Sequence, residues 1–154
     1  MGQDGYRTPD YIYKYYHKQY NFVCDVAASE ADRKCMNYYT KESDGLCQSW
    51  FISNFCNPPY SRKNGNYLGD WVERGYIESQ NGSTSLFILP LGFTSKWFNG
   101  LVKNKARIEL PDERIEFINP ITGRPDDHPR NDNMIIIYDP GIVPGIESVH
   151  IPKW

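Results

Sequence analysis

Trp50-Phe51-Ile52-Ser53-Asn54-Phe55-Cys56-Asn57-Pro58-Pro59-Tyr60 is a hydrophobic run that stops in two prolines. It reads as a buried strand with a rigid end. Pro59 fixes its own φ and confines Pro58 to extended or turn geometry. Neither proline offers an N–H, so backbone carbonyls are expected to point outward, unpaired, beside the Asn57 amide. Tyr60 lays a flat aromatic face next to them. Such a corner suits a planar ring that carries an exocyclic amine: the Asn57 side-chain oxygen and the Pro58 carbonyl accept from the –NH2 group, and Tyr60 stacks on the ring. In nucleic acids that ring is adenine or cytosine, swung out of the helix. Taken alone, the tetrapeptide also fits a tight turn closing a buried strand, with Tyr60 merely covering the core.

A second short apolar run lies upstream, Tyr20-Asn21-Phe22-Val23-Cys24-Asp25-Val26-Ala27-Ala28-Ser29. An acid followed by small residues at a strand's carboxyl end is how an open α/β sheet makes room for a cofactor. The alanines admit close approach to the backbone, and Asp25 can meet a cationic or hydroxyl-bearing group. A helix-capping Asp beside close-packed alanines explains the same residues. Ser29 and Glu30 are expected to start a helix running toward Cys35-Met36. No G-x-G-x-x-G is present, so the dinucleotide-binding fingerprint is absent.

Thr8-Pro9-Asp10 precedes Tyr11 to Lys18, where apolar or aromatic positions 12, 15 and 16 recur at helical spacing. Thr8 is the expected N-cap, Pro9 the first-turn residue, and Asp10 favours the helix N-terminus. The cap is also placed to meet a ligand. Asp44-Gly45 signals a turn. Beyond the proline corner, Ser61 to Gly69 is a polar loop carrying Arg62 and Lys63, followed by a helix over Tyr67 to Ser79. Ser85 to Pro90 reads as a buried parallel strand, and Thr94-Ser95-Lys96-Trp97-Phe98 as the start of another helix. Strands are expected at Ala106–Leu110, Arg114–Ile118 and Asn133–Tyr138. Residues 119–132 form a Pro-, Gly-, Asp- and Arg-rich loop, read as a mobile, substrate-contacting element. Asp126-Asp127-His128 within it reads as a solvated turn, and no metal site is expected. The tail from about residue 140 is expected to pack as irregular coil.

The 154 residues suit one domain burying roughly 70% of its extended-chain surface. Aromatic content of 15%, with 12 Tyr and 4 Trp, points to ring-lined surfaces. A formal net charge of -2 argues against a nonspecific polyanion coat but not against a local basic rim. Cys24, Cys35, Cys47 and Cys56 contain no C-x-x-C pair, and Cys24 and Cys56 read as buried thiols. No apolar stretch approaches the ~20 residues that cross a bilayer. With no leader evident, the chain reads as intracellular and reduced. Strands alternating with helices, then strands joined by loops, argue an α/β fold with a mainly parallel sheet and an antiparallel end. Asp25 and Asn57 both fall at carboxyl ends of the first strands, where such sheets bind ligands.

In order along the chain, Thr8-Pro9-Asp10, Phe22 to Ser29, Tyr39-Thr40, Asp44-Gly45-Leu46 with Trp50, and Cys56-Asn57-Pro58-Pro59-Tyr60-Ser61 resemble the phage-type, Dam-like DNA N6-adenine methyltransferases. Trp71, Leu89-Pro90, Thr94 to Phe98, Arg114 to Pro120 and Met134 to Tyr138 continue the resemblance over roughly residues 7 to 140. It implies a compact Rossmann-like methyltransferase that uses S-adenosylmethionine and lacks one or two strands of the full fold, because the interval from Asp25 to Asn57 is short. Asn57, Pro58, Pro59 and Tyr60 match the family's catalytic [D/N]-P-P-Y. Asp25 and Ala27 match its cofactor loop, although many methyltransferases carry glycines there. Thr8-Pro9 resembles the segment over the methionine part of the cofactor, Asp44 would lie near the adenine or ribose end, and Asn57 counts among the expected cofactor-binding residues as well as the catalytic ones.

The implied reaction is direct methyl transfer to adenine N6 of double-stranded DNA, in the cytoplasm of a bacterial host of a phage or prophage. Arg62, Lys63, Lys96, Arg124 and Arg130 are the candidate phosphate contacts, each also explicable as solvated surface charge. A homodimer or a targeting partner would compensate for the small size and negative charge. Cytosine N4 presents the same kind of amine, so an N4-cytosine enzyme is an alternative. A noncatalytic DNA-binding relic and a methyltransferase of protein or small-molecule amines are others.

Overall fold

A computed structural model describes residues 5–60, 67–126 and 132–153. Its centre is a seven-stranded mixed sheet made of β1 (Cys24–Asp25), β2 (Asn37–Tyr38), β3 (Ser53–Cys56), β4 (Thr84–Pro90), β5 (Arg107–Pro111), β6 (Asn133–Tyr138) and β7 (Gly145–Val149). The order across the sheet is β2-β1-β3-β4-β6-β5-β7. β2, β1, β3 and β4 run parallel, β6 is antiparallel to both β4 and β5, and β7 is parallel to β5. This is the expected mainly parallel α/β sheet with an antiparallel part, and it is compatible with a Rossmann-like fold. Between β1 and β3 only the two-residue β2 forms. The sheet is therefore thinnest on the side where lost strands are expected.

The alternation of β4 and β6 splits the core into two layers. Phe87, Leu89, Met134, Ile136 and Tyr138 face one side, with Trp50, Trp71 and Val72; Leu86, Ile88, Ile135 and Ile137 face the other, with Ile12, Tyr16 and Phe55. One helix covers each face, as parallel strands buried on both sides require. Helix α1 (Asp10–Tyr20) buries Ile12 and Tyr16, four residues apart on one stripe. It ends where Asn21 turns left-handed, φ 50°, and donates its N–H to the His17 carbonyl. Helix α2 (Leu68–Gln80) buries Trp71, Val72 and Gly75. Gly75 is demanded by packing, because a Cβ there would stand 2.4 Å from Cε2 of Phe87.

Three expectations are corrected and a fourth is refined. No helix runs from Ser29 to Met36. Instead Ser29 Oγ accepts the Asp32 N–H at 3.0 Å, while Asp25 takes the N–H groups of Ala27 and Lys34. These side chains offer the backbone a local alternative to the helical ladder. Residues 114–118 form no strand beyond isolated bridges from Ile118 to Arg7 and to Pro125. Ile115 and Phe117 are buried there, so the apolar alternation is real but serves a packed extended segment. The expected coil after residue 140 contains β7, whose residues are mostly exposed because it is an edge strand. The helical segment after Thr94 takes a π-helical form over Phe98–Val102.

Candidate active site at the carboxyl edge of the sheet

Asp25 of β1 pairs in register with Phe55 of β3, so Asn57 emerges just beyond the strand end beside it. The parallel arrangement therefore brings Asp25 and the proline corner to one edge. β5 ends and β6 begins at that edge too, because the Leu91 N–H, just past β4, donates to the Asp132 carbonyl.

Asn57 is buried, 6% exposed. Its Nδ2 donates to Thr8 Oγ1 at 2.9 Å, and its Oδ1 is buried without a hydrogen-bond partner among the described residues. A buried unpaired carbonyl costs about 1–3 kcal/mol, a cost that a donor arriving in the site would remove. The Thr8 hydroxyl is free for this because Pro9, not Thr8, occupies the cap position of α1, and no side chain caps the helix. Pro9 holds Thr8 in the extended range from which it reaches Asn57.

Pro58 is buried, Pro59 and Tyr60 half-buried. Pro58 is not without a partner, and Asn57 Oδ1 is an orphaned side-chain acceptor at the corner. Tyr60 donates its hydroxyl to the Ile88 carbonyl at 2.9 Å and accepts from Asn133 Nδ2 at 3.2 Å. Both bonds lock the ring plane, and burial raises the hydroxyl's pKa, keeping it protonated.

Thr8, Asp25, Ala27, Ala28, Ser29 and Asn57 line a cleft of about 60 Å³. That volume admits only a water or two. Thr8, Asp32 and Lys34 also line a neighbouring charged cleft of about 310 Å³, together with Arg7 and Asp10. The larger of the two is of a size that suits a small-molecule ligand. Asp25 is 3% exposed, and burial pushes its carboxyl up to about 7 against the opposing pull of the Lys34 and Ala27 N–H groups. Lys34 Nζ lies 3.2 Å from Asp32 and 3.6 Å from Asp10, so the loop after β1 is latched to the start of α1.

Of the residues singled out in the sequence, Thr8, Asp25, Ala27 and Asn57 come together. Pro9 stands behind Thr8. Asp44 closes its own turn, accepting from the Leu46 N–H and the Cys47 thiol at 3.2 Å each, and does not line either cleft. Lys96 and Arg124 are exposed. Arg62, Lys63 and Arg130 lie outside the described residues, as do Asp127 and His128. Sequence reasoning missed Arg7, Lys34 and Asn133. The role of Lys34 depends on the loop that replaces the helix expected there. Asn133 carries a faint signal as the lone amide heading the apolar run Met134–Tyr138.

A model of the DNA N-6-adenine-methyltransferase (Dam) family matches residues 1–149. The chain belongs to this family. As a family member it is an adenine-specific DNA methyltransferase. It is similar to the DNA N-6-adenine-methyltransferase of Haemophilus phage HP1, at 31% identity over 144 residues that span 90% of this chain and 80% of the relative. It is also similar to that of Escherichia phage T1, at 27% identity over 109 residues that span 69% of this chain and 44% of the relative. No solved structure matches this Dam-family chain.

Proposed function

We propose that the protein transfers a methyl group from S-adenosylmethionine to N6 of an adenine flipped out of double-stranded DNA into the corner formed by Asn57, Pro58, Pro59 and Tyr60. The observation that carries the reading is the buried, unpartnered Asn57 Oδ1, aimed by the bond from its own Nδ2 to Thr8.

The residues of the double cleft fit the cofactor. Asp25 offers a carboxylate to a cationic or hydroxyl-bearing group, Ala27 and Ala28 leave the backbone open to approach, and Thr8, Arg7 and Lys34 surround the outer part. Asp44 would reach the adenine end only by leaving its turn. When bound, the cofactor supplies an electrophilic methyl on a sulfonium.

The work left to the protein is positioning. The adenine amine is a poor nucleophile because its lone pair is delocalised into the ring. Asn57 Oδ1 accepts one amine hydrogen, and the Pro58 carbonyl has a second lone pair for the other. Both bonds favour a pyramidal nitrogen with its lone pair free to attack. Asn57 is neutral and takes no proton, which leaves to solvent after transfer. Flipping costs a few kcal/mol, repaid in part by stacking on Tyr60, worth ~1–3 kcal/mol per base. Lys96 and Arg124 supply phosphate contacts, with Arg62, Lys63 and Arg130 as further candidates, and a second copy or a targeting partner would extend the contact area. The setting is the cytoplasm of a bacterial host.

Incubating the protein with labelled S-adenosylmethionine and unmethylated duplex DNA, followed by nucleoside analysis, tests this. Labelled N6-methyladenine is expected. Labelled N4-methylcytosine would move the substrate, and a protein that binds DNA but no cofactor would refute the reading.

A further inference from the structure

Ile121 is 91% exposed, yet it does not sit on a loose loop. Asn119 Oδ1 accepts the N–H groups of Ile121 at 2.8 Å and Thr122 at 3.3 Å. The Asn119 carbonyl accepts from Gly123 at 2.8 Å, and the Asn119 N–H donates to the Arg124 carbonyl at 2.9 Å. Gly123 closes the turn with φ 69°, a left-handed conformation that suits glycine. The base of the turn is anchored twice. Arg7 and Ile118 exchange backbone bonds of 3.0 and 2.9 Å, and Asn119 Nδ2 donates to the Tyr6 hydroxyl at 3.3 Å. Burial of Ile115 and Phe117 holds the segment leading in. The fold thus spends several hydrogen bonds on presenting one isoleucine to solvent.

The location gives that isoleucine a use. Ile118 and Gly123, on either side of the tip, line the charged cleft together with Thr8 and Arg7. Exposed Arg124 follows the tip by three residues. An apolar side chain on a rigid turn at the rim of this cleft, whose Thr8 is bonded to Asn57 of the base corner, with a cation beside it, matches the chemistry of a wedge. Proteins that unstack duplex DNA insert Ile, Leu, Met or Phe between base steps and hold the backbone with Arg or Lys.

We infer that Ile121 is the side chain that enters the DNA stack when the target adenine leaves it, with Arg124 on a flanking phosphate. This rests on the proposed flipping of the base. Because Ile121 packs against nothing that its removal would collapse, Ile121→Ala should fold as the parent does.

The test replaces the target adenine of a methylatable duplex by 2-aminopurine, which brightens on leaving the stack. The parent protein should brighten it. Ile121→Ala should lose most of the rise and lower kcat/KM on a paired target ~tenfold or more, a modest fraction of a barrier by transition-state arithmetic. Ile121→Met, long and apolar, should restore both. On a duplex whose target adenine is mismatched, and so already unstacked, the Ile121→Ala deficit should shrink. An equal deficit on paired and mismatched targets, or an unimpaired rise in Ile121→Ala, would overturn the wedge while leaving base flipping intact. A parent protein that methylates DNA without brightening the probe would overturn flipping itself, and the wedge with it.

Discussion

Asn57 donates to the hydroxyl of Thr8 across a 2.9 Å hydrogen bond between residues 49 apart in the chain. The amide cannot present both ends to the same partner, so fixing Nδ2 on Thr8 fixes where Oδ1 points. A residue before α1 thereby sets the orientation of the group at the end of β3.

Thr8→Val keeps the shape of the side chain and removes the hydroxyl. Asn57 then loses its anchor, a bond worth about 0.5–1.5 kcal/mol. Single-turnover methyl transfer is expected to fall about tenfold, with the fold retained by circular dichroism. An unchanged rate would mean that Thr8 does not aim the amide.

Asp25 gives the site a pH dependence. Its carboxyl sits at about 7 in the folded protein, against an ordinary value of 3.8. Between those two values the native state holds a proton that the unfolded chain has released, so the contribution to stability is fully present below about pH 4 and is lost as pH rises through about 7. Asp25→Asn, neutral throughout, should remove that decline, and the difference between the two urea-unfolding curves should grow across this window. Affinity for a cationic cofactor should move the opposite way, rising through about pH 7 in the parent and staying flat in Asp25→Asn.

Tyr60 separates ring from hydroxyl. Tyr60→Phe removes the bonds to Ile88 and Asn133 but keeps the stacking face, so it should cost a few-fold in rate. Tyr60→Ala should weaken retention of the flipped base by ~1–3 kcal/mol, read as reduced 2-aminopurine brightening. Equal effects of the two would assign the role to the hydroxyl.

Gly75→Ala tests the packing of α2 on the sheet. The added methyl would meet the Phe87 ring, which is itself fully buried against Tyr138. Overpacking of this kind costs typically about 1–3 kcal/mol, and a lowered urea midpoint with an unchanged slope is expected.

The central strands are legible because the burial of their residues depends only on the sheet. Ser85–Pro90 and Asn133–Tyr138 are apolar almost throughout, and both lie at its centre. The proline corner was legible because prolines act through local geometry. What escaped depends on tertiary exchange. Ser29 to Met36 has helical composition, but Asp25 claims two of its neighbourhood's N–H groups. Thr8 looks like a cap until Asn57, remote in sequence, takes its hydroxyl. Gly145–Val149 becomes a strand only because β5 offers an open edge. Arg7 and Lys34 enter the cleft through those same rearrangements, so no local pattern marked them.

Asn57 is expected to act on the amine of the base far more than on the cofactor. The direct measurement is Asn57→Ala, with cofactor affinity by calorimetry and methyl transfer by single turnover on the same protein. A rate lowered on the order of 10²–10³-fold is expected, as for loss of one preorganised hydrogen-bonding group, with the cofactor dissociation constant changed only a few-fold. A dissociation constant that rises in proportion to the lost rate would contradict it, because Asn57 would then serve the cofactor.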